Sequence, residues 1–324
     1  VDRFSSRQEY PVSRVHPQAQ AILDAAEEAG GPPLNEMPVA EARAALDEIP
    51  KAYGVPLAPV DRIDKLKIPG PGGAMDALLI VPRDAGPDPL PLLVYYHGGG
   101  WVLGHLESHI REASYFAAGA GCAVLVPDYR LAPEHKFPAA SEDSFAALQW
   151  AFDRASMLNI DPRRIAVGGD SAGGHLAAVV TQQAREAGMK IVFQVLIYPV
   201  TDTYQDTETY RTRAEGYFLT YDSMAWFIDL YLNDPTERDD PRASPLRAST
   251  FDGLPPAIIC TAGFDPLRDE GAAYADKLKA AGVPVDYIDY TGQIHGFVSM
   301  GGAIDEGRAF MDRACAALRQ SFGT

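Results

Sequence analysis

Ser171 stands in the spacing Gly169-Asp170-Ser171-Ala172-Gly173, between the β-like run RRIAVGG and the helix-like GGHLAAVVTQQAREAG. A serine hydroxyl becomes available as a nucleophile when it projects from a sharp strand-to-helix turn, and glycines two positions to either side keep the strand and helix backbones from colliding. Two other uses of a glycine-rich turn fail here. A phosphate-binding loop needs lysine and then serine or threonine after its last glycine, but Gly174 is followed by His175 and Leu176. The dinucleotide fingerprint needs G-x-G-x-x-G, which GGDSAGG does not supply.

A serine nucleophile needs a base, and the base needs an acid to orient it. On a sheet that presents its nucleophile from such a turn, the three follow in the order serine, acid, histidine, each near a strand end. His97 precedes the serine, and His175 lies one turn along the serine's own helix. His295, in DYTGQIHGF, is the only histidine further on and follows the last predicted strand. Asp265 directly follows the strand-like PPAIICTAG, whereas Asp269 and Glu270 read as first-turn helix residues that complement the helix dipole. Asp202 belongs to the preceding strand. The charge that develops on an attacked carbonyl also needs donors. YYHGGGW ends an apolar strand in glycines whose N–H groups can approach a substrate oxygen, and the N–H of Ala172 completes such a hole.

The elements that must hold these groups read as alternating strand and helix. Two helix-like patches, HPQAQAILDAAEEAG and PVAEARAALDEIPKAYG, precede a change of period near Val60. The strand-like VDRIDKLKIP, GAMDALLIVP, LPLLVYYHGGG, GCAVLVPDYR, RRIAVGG and KIVFQVLIYP follow, with a helix around AASEDSFAALQWAFDRA. The alternation predicts a mainly parallel sheet with right-handed crossovers. It stops between about 201 and 249, in a polar, aromatic insertion, and resumes with PPAIICTAG, RDEGAAYADKLKAAG, PVDYIDY and a final helix. In the insertion, Met224, Phe227, Ile228, Tyr231 and Leu232 share one helical face, with Thr220 or Asp222 as cap.

The 324 residues suffice for one large α/β domain with a cap. With 28 Lys+Arg against 44 Asp+Glu, the net charge of −16 disfavours nucleic acid as a partner. No apolar run is long enough for stable membrane insertion. The N-terminal VDRFSSRQEYPVSRVHP has no secretory pattern, and Cys122, Cys260 and Cys315 lie apart in apolar contexts, so a cytoplasmic protein with buried thiols is expected. HLESH, from His105 to His109, lacks the glutamate placement of a zinc helix, and no metal site is expected there.

Taken together, YYHGGGW, DYRLAPEHKFPAA, GDSAGG, DPLRDEG and HGF resemble the bacterial hormone-sensitive-lipase-like esterases, from about Leu92 to the C-terminus. The resemblance implies an α/β-hydrolase fold, a mainly parallel central sheet flanked by helices, with a helical cap. It implies Ser171 as nucleophile, His295 as base and Asp265 as its orienter, with Gly99, Gly100 and Ala172 as oxyanion donors and no cofactor. The expected organisation is an N-terminal part of the cap over 1–54, a catalytic core over 55–200 and 250–324, and a cap insertion over 201–249. Trp101, Tyr217 and Phe218 are candidates for the substrate pocket. The expected activity is hydrolysis of short- to medium-chain carboxylic esters, with a small-molecule ester as partner and a homodimer left open. Two alternatives stay beside it: a serine peptidase or amidase on the same fold, and a non-catalytic small-ligand receptor, whose relatives lack the catalytic histidine that His295 supplies here.

Overall fold

The computed structural model describes residues 14–83 and 85–324, so most of the N-terminal stretch read for a secretory pattern lies outside the described residues. Helices α1 (Pro17–Ala29), α2 (Val39–Leu46) and α3 (Ile49–Tyr53) come first. The second patch, expected as one helix, is thus two: α2 ends at Leu46, and Pro50 sits in the first turn of α3. Proline there forgoes an amide that has no helical partner, so it starts a helix more readily than it continues one.

The sheet and its helices follow as β1 (Val60–Gly70), β2 (Gly73–Pro82), β3 (Leu90–Tyr96), α4 (Ile110–Ala120), β4 (Ala123–Pro127), α5 (Ala139–Asp153), α6 (Ala155–Leu158), β5 (Ile160–Asp170), α7 (Ala172–Glu186) and β6 (Gln194–Ile197). The chain continues through α8 (Glu208–Thr212), α9 (Tyr221–Tyr231), β7 (Ala257–Phe264), α10 (Arg268–Ala280), β8 (Val285–Ile294) and α11 (Asp305–Phe322). Helix α4 and the short α6 and α8 add to the elements read from sequence, and the strand expected in KIVFQVLIYP shortens to the four residues of β6.

Among the described residues, eight strands form one sheet in the order β1-β2-β4-β3-β5-β6-β7-β8. The β1–β2 and β2–β4 pairs are antiparallel, and every pair from β4–β3 to β7–β8 is parallel. Because strand side chains alternate, β3 sends Leu92, Val94 and Tyr96 into one apolar core and Leu93 and Tyr95 into the other. Helices α5, α7 and α10 cover the first face and α1, α4 and α11 the second. Burial on both faces explains why the central strands read as nearly unbroken apolar runs. The three cysteines are free and buried. No helix among the described residues is long and apolar enough to cross a membrane.

Candidate active site

Strand β5 ends at Asp170 and α7 begins at Ala172, leaving Ser171 alone at the turn with φ 55° and ψ −119°. Non-glycine residues rarely adopt a positive φ, and this one is held by its surroundings. The Ser171 N–H donates to Ile197 O at 2.9 Å, while Ser171 O accepts from His175 N at 3.0 Å and Val200 N at 3.3 Å. The small flanking residues are required by contact. A Cβ on Gly169 would strike the backbone of Gly173, and one on Gly173 would strike the carbonyl oxygen of Tyr96.

Parallel neighbours deliver the other two groups to the same edge. Asp265 follows β7 and His295 follows β8. The Ser171 hydroxyl donates to His295 Nε2 at 3.0 Å, and His295 Nδ1–H donates to Asp265 Oδ2 at 2.7 Å. Asp265 is fully buried, and its other oxygen accepts from Leu267 N at 2.9 Å. The ring of Tyr198 packs on His295 with centroids 4.6 Å apart. This arrangement can take a proton from the serine hydroxyl and hold the resulting imidazolium against a fixed carboxylate.

Gly99 and Gly100 line the cavity beside Ser171 with φ 114° and 60°. Val102 and Leu103 donate to Gly99 O and close the turn. Neither the Gly99 nor the Gly100 amide donates to an acceptor among the described residues. A Cβ on Gly100 would enter the ring of Phe227, and one on Gly99 would meet the Leu103 carbonyl. With the first-turn amide of Ala172, these N–H groups could donate to an oxygen bound beside Ser171.

His97 is not a reacting group. It stacks on Tyr129 at 4.3 Å and donates from Nδ1 to Gly98 O at 2.7 Å, and burial lowers its pKa to about 3. His175 is also buried and neutral, its pKa lowered by burial to about 3. The Trp101 indole N–H donates to His175 Nδ1 at 3.1 Å, and His175 Nε2–H donates to Ala243 O at 3.2 Å. One imidazole therefore ties the glycine loop to the serine's helix and to the segment after α9.

A cavity of about 580 Å³ opens over Ser171 and His295. Leu34, Met37 and Leu46 line it from the N-terminal helical segment, and Phe218, Leu219, Met224 and Phe227 from the insertion. Thr220 accepts from Ser223 N at 3.1 Å and caps α9; Met224, Phe227, Ile228 and Tyr231 on the helix are buried, and so is Leu232, expected on the same face, which follows the helix in extended conformation. Two expected pocket residues lie elsewhere. Trp101 is fully buried and stacks on Tyr231 at 4.3 Å, away from the cavity. Tyr217 is turned onto Phe264 at 4.9 Å, with Arg213 over its ring. Phe218 does line the cavity.

Glu270 and Asp269 do more than complement a dipole. Glu270 is fully buried and accepts from Thr201 N at 2.7 Å and Asp202 N at 3.3 Å, and burial pushes its pKa well up. Asp269 accepts from Thr209 N at 3.0 Å. Sequence reasoning also missed a polar cluster on the cavity wall. Asp170 accepts from Tyr95 OH at 2.9 Å and Gly98 N at 3.1 Å and faces His109 Nε2 at 3.3 Å. Burial opposes a charge on His109, but Asp170 outweighs it and raises the pKa to about 9. Glu112, one turn along α4, lies beside this pair. His105, the other histidine of HLESH, points out to Asp47 at 3.0 Å, so the pair does not converge on a common site.

A serine elbow, an ordered acid and histidine and a glycine-lined hole on a doubly covered parallel sheet define a serine hydrolase of the α/β type. The α/β-hydrolase-fold family model matches residues 93–299. The chain is 46% identical over 270 residues to the carboxylic ester hydrolase LipN of Mycobacterium tuberculosis, covering 81% of this chain and 71% of that one. It is 40% identical over 230 residues to an ethyl acetate hydrolase of Pseudomonas putida, covering 70% and 72%. An ester hydrolase from the metagenome of Lake Arreo, solved with a bipyridine phosphonate derivative, superposes with a TM-score of 0.92 at 42% identity over 96% of this chain and 100% of that one. The chain belongs to the α/β-hydrolase family, in its hormone-sensitive-lipase-like branch.

Proposed function

We propose that the protein hydrolyses short- to medium-chain carboxylic esters through an acyl-enzyme on Ser171. The observation that carries this reading is the unbroken chain from Ser171 Oγ through His295 to Asp265, at 3.0 and 2.7 Å. His295 takes the hydroxyl proton as Ser171 attacks the acyl carbon. The amides of Gly99, Gly100 and Ala172 receive the oxyanion, and the alcohol leaves with the proton that His295 returns. Water, deprotonated by the same imidazole, then attacks the acyl carbon and releases the acid. Asp265 holds Nδ1 protonated so that Nε2 faces the serine.

Residues 201–249 and the N-terminal helices act as the cap that walls this cavity. The presence of the full serine–histidine–aspartate chain weighs against the receptor alternative. The net charge of −16 supports a small-molecule substrate over nucleic acid, and three buried free cysteines support a cytoplasmic setting. The test is turnover of p-nitrophenyl esters from acetate to palmitate by the wild type and by Ser171→Ala. Alanine fits the elbow but cannot attack, so the expected loss is on the order of 10⁴- to 10⁶-fold with the fold intact. Wild-type turnover by a folded Ser171→Ala protein would refute the assignment.

A further inference from the structure

Glu112 is the group on the cavity wall that the ester chemistry above does not use. It is 1% exposed and lines the cavity, and neither carboxylate oxygen has a hydrogen-bond partner. A buried carboxylate without a donor is costly, and such groups in native proteins normally meet a partner.

The cations near it are committed. His109 is held between Ser108 Oγ, 2.8 Å from Nδ1, and Asp170, 3.3 Å from Nε2. The Ser108 hydroxyl donates to His105 O, so His109 Nδ1 is the donor to Ser108. His109 Nε2 sits 3.3 Å from both Asp170 Oδ2 and Gly98 N, and Asp170 raises the imidazole pKa to about 9, so both ring nitrogens carry protons and the imidazolium pairs with the Asp170 carboxylate. Arg111, the residue before Glu112 on α4, sends its guanidinium to Val55 O at 3.1 Å. The Tyr95 hydroxyl is given to Asp170, and the Tyr198 hydroxyl lies 3.3 Å from Ser299 Oγ. Glu112 is therefore left without a hydrogen-bond donor in a wall shared with the nucleophile.

We propose that Glu112 is a specificity subsite that receives a protonated amine on the acyl or alcohol portion of the substrate. The rest of the cavity is apolar along the cap side, through Leu34, Met37, Leu219, Met224 and Phe227. A substrate that fits has an aliphatic body with an ammonium group at one end. The ammonium supplies the donor that the carboxylate lacks, and one charge-assisted hydrogen bond replaces an orphaned acceptor. Burial pushes the Glu112 pKa up to about 7 against the pull of His109, so an arriving cation also draws the carboxyl into its ionised form. The proposal rests on the ester-hydrolase reading for its place in a reaction, but the binding itself does not require turnover.

Two substrate pairs of matched shape locate the amine. Ethyl 6-aminohexanoate against ethyl heptanoate probes the acyl arm, and 3-(dimethylamino)propyl butyrate against 4-methylpentyl butyrate probes the alcohol arm. In one of the pairs, the ratio of kcat/KM for the amine to that for its isostere is expected to fall about tenfold or more in Glu112→Gln and Glu112→Leu. The ratio cancels any effect common to both members of a pair. Calorimetry of hexylammonium chloride with Ser171→Ala and with the Ser171→Ala, Glu112→Gln double variant gives a readout free of catalysis. Binding that is lost with the carboxylate supports the subsite even if the ester-hydrolase reading fails. Unchanged ratios in both pairs, or equal hexylammonium binding with and without Glu112, would overturn it and leave ester hydrolysis standing.

Discussion

On one side of the cavity, Ser171, Asp265 and His295 follow β5, β7 and β8 directly, and backbone amides or carbonyls fix their surroundings within hydrogen-bonding distance. On the other side, Leu34, Met37, Leu219, Met224 and Phe227 come from two separated segments and meet through apolar contact. Hydrogen-bonded placement at strand ends tolerates little change, because directional bonds weaken steeply off their preferred angles. Apolar walls depend on volume and can be recut without disturbing the reacting atoms. On the reading proposed above, the core side would set the reaction and the cap side which chains fit.

That contrast is sharpened most by a change at the core side. Asp265→Asn should lower kcat by about 10⁴-fold, because the amide no longer enforces the tautomer that turns Nε2 to the serine. Asp269→Asn, in the adjacent first turn, removes the charge that strengthens the bond from Thr209 N and complements the helix dipole, and should lower thermal stability while kcat stays near wild type. Steady-state kinetics with thermal melts on both variants separates the two carboxylates, and the reverse ranking would break the division drawn above.

A smaller effect is expected from the cap side. Met224→Trp should reduce the ratio of kcat/KM for p-nitrophenyl octanoate to that for the acetate by several-fold to about a hundredfold, since lost volume penalises the longer chain. The acetate rate is the control. Equal losses on both substrates would mean that the insertion supports the catalytic groups as well as the pocket.

The core side was legible because each of its residues belongs to a local pattern with one physical reading. Gly169 and Gly173 surround Ser171 as the close approach of strand and helix requires, Asp265 closes an apolar run, and His295 follows the last predicted strand. The cap side was legible as an amphipathic helix but not as a wall. Periodicity shows that Met224 and Phe227 are buried, and both also face the cavity, which a one-dimensional pattern cannot distinguish. Trp101 and Tyr217 illustrate the same gap, since an aromatic beside a catalytic motif serves as well for packing as for a pocket. Glu112 was hidden because α4 itself was passed over in HIREASYFAAGAG, where small residues and glycine dilute the apolar spacing of Ala113, Phe116, Ala117 and Ala120. A glutamate in a first helical turn is ordinarily a solvated partner of the helix dipole.

The link from Trp101 through His175 to Ala243 also sets how the molecule meets acid. His175 accepts at one nitrogen and donates at the other, so a second proton would face the indole N–H, and burial already lowers its pKa to about 3. Unfolded, the same side chain takes a proton near pH 6.5. Between about pH 6.5 and 3 the unfolded chain binds the extra proton, and stability falls as the solution is acidified. His97, lowered to about 3 by burial, acts in the same direction. Glu112 acts in the opposite one: with its pKa at about 7 when folded, it favours the folded state as pH drops from 7 toward 4.5. Urea unfolding at pH 5 and pH 7 should show His175→Phe losing less stability on acidification than the wild type, and an equal loss would exclude His175 as a source of acid sensitivity. The imidazole that braces the glycine loop thereby makes the whole fold sensitive to mild acid, while in every molecule that stays folded the brace itself remains neutral and intact.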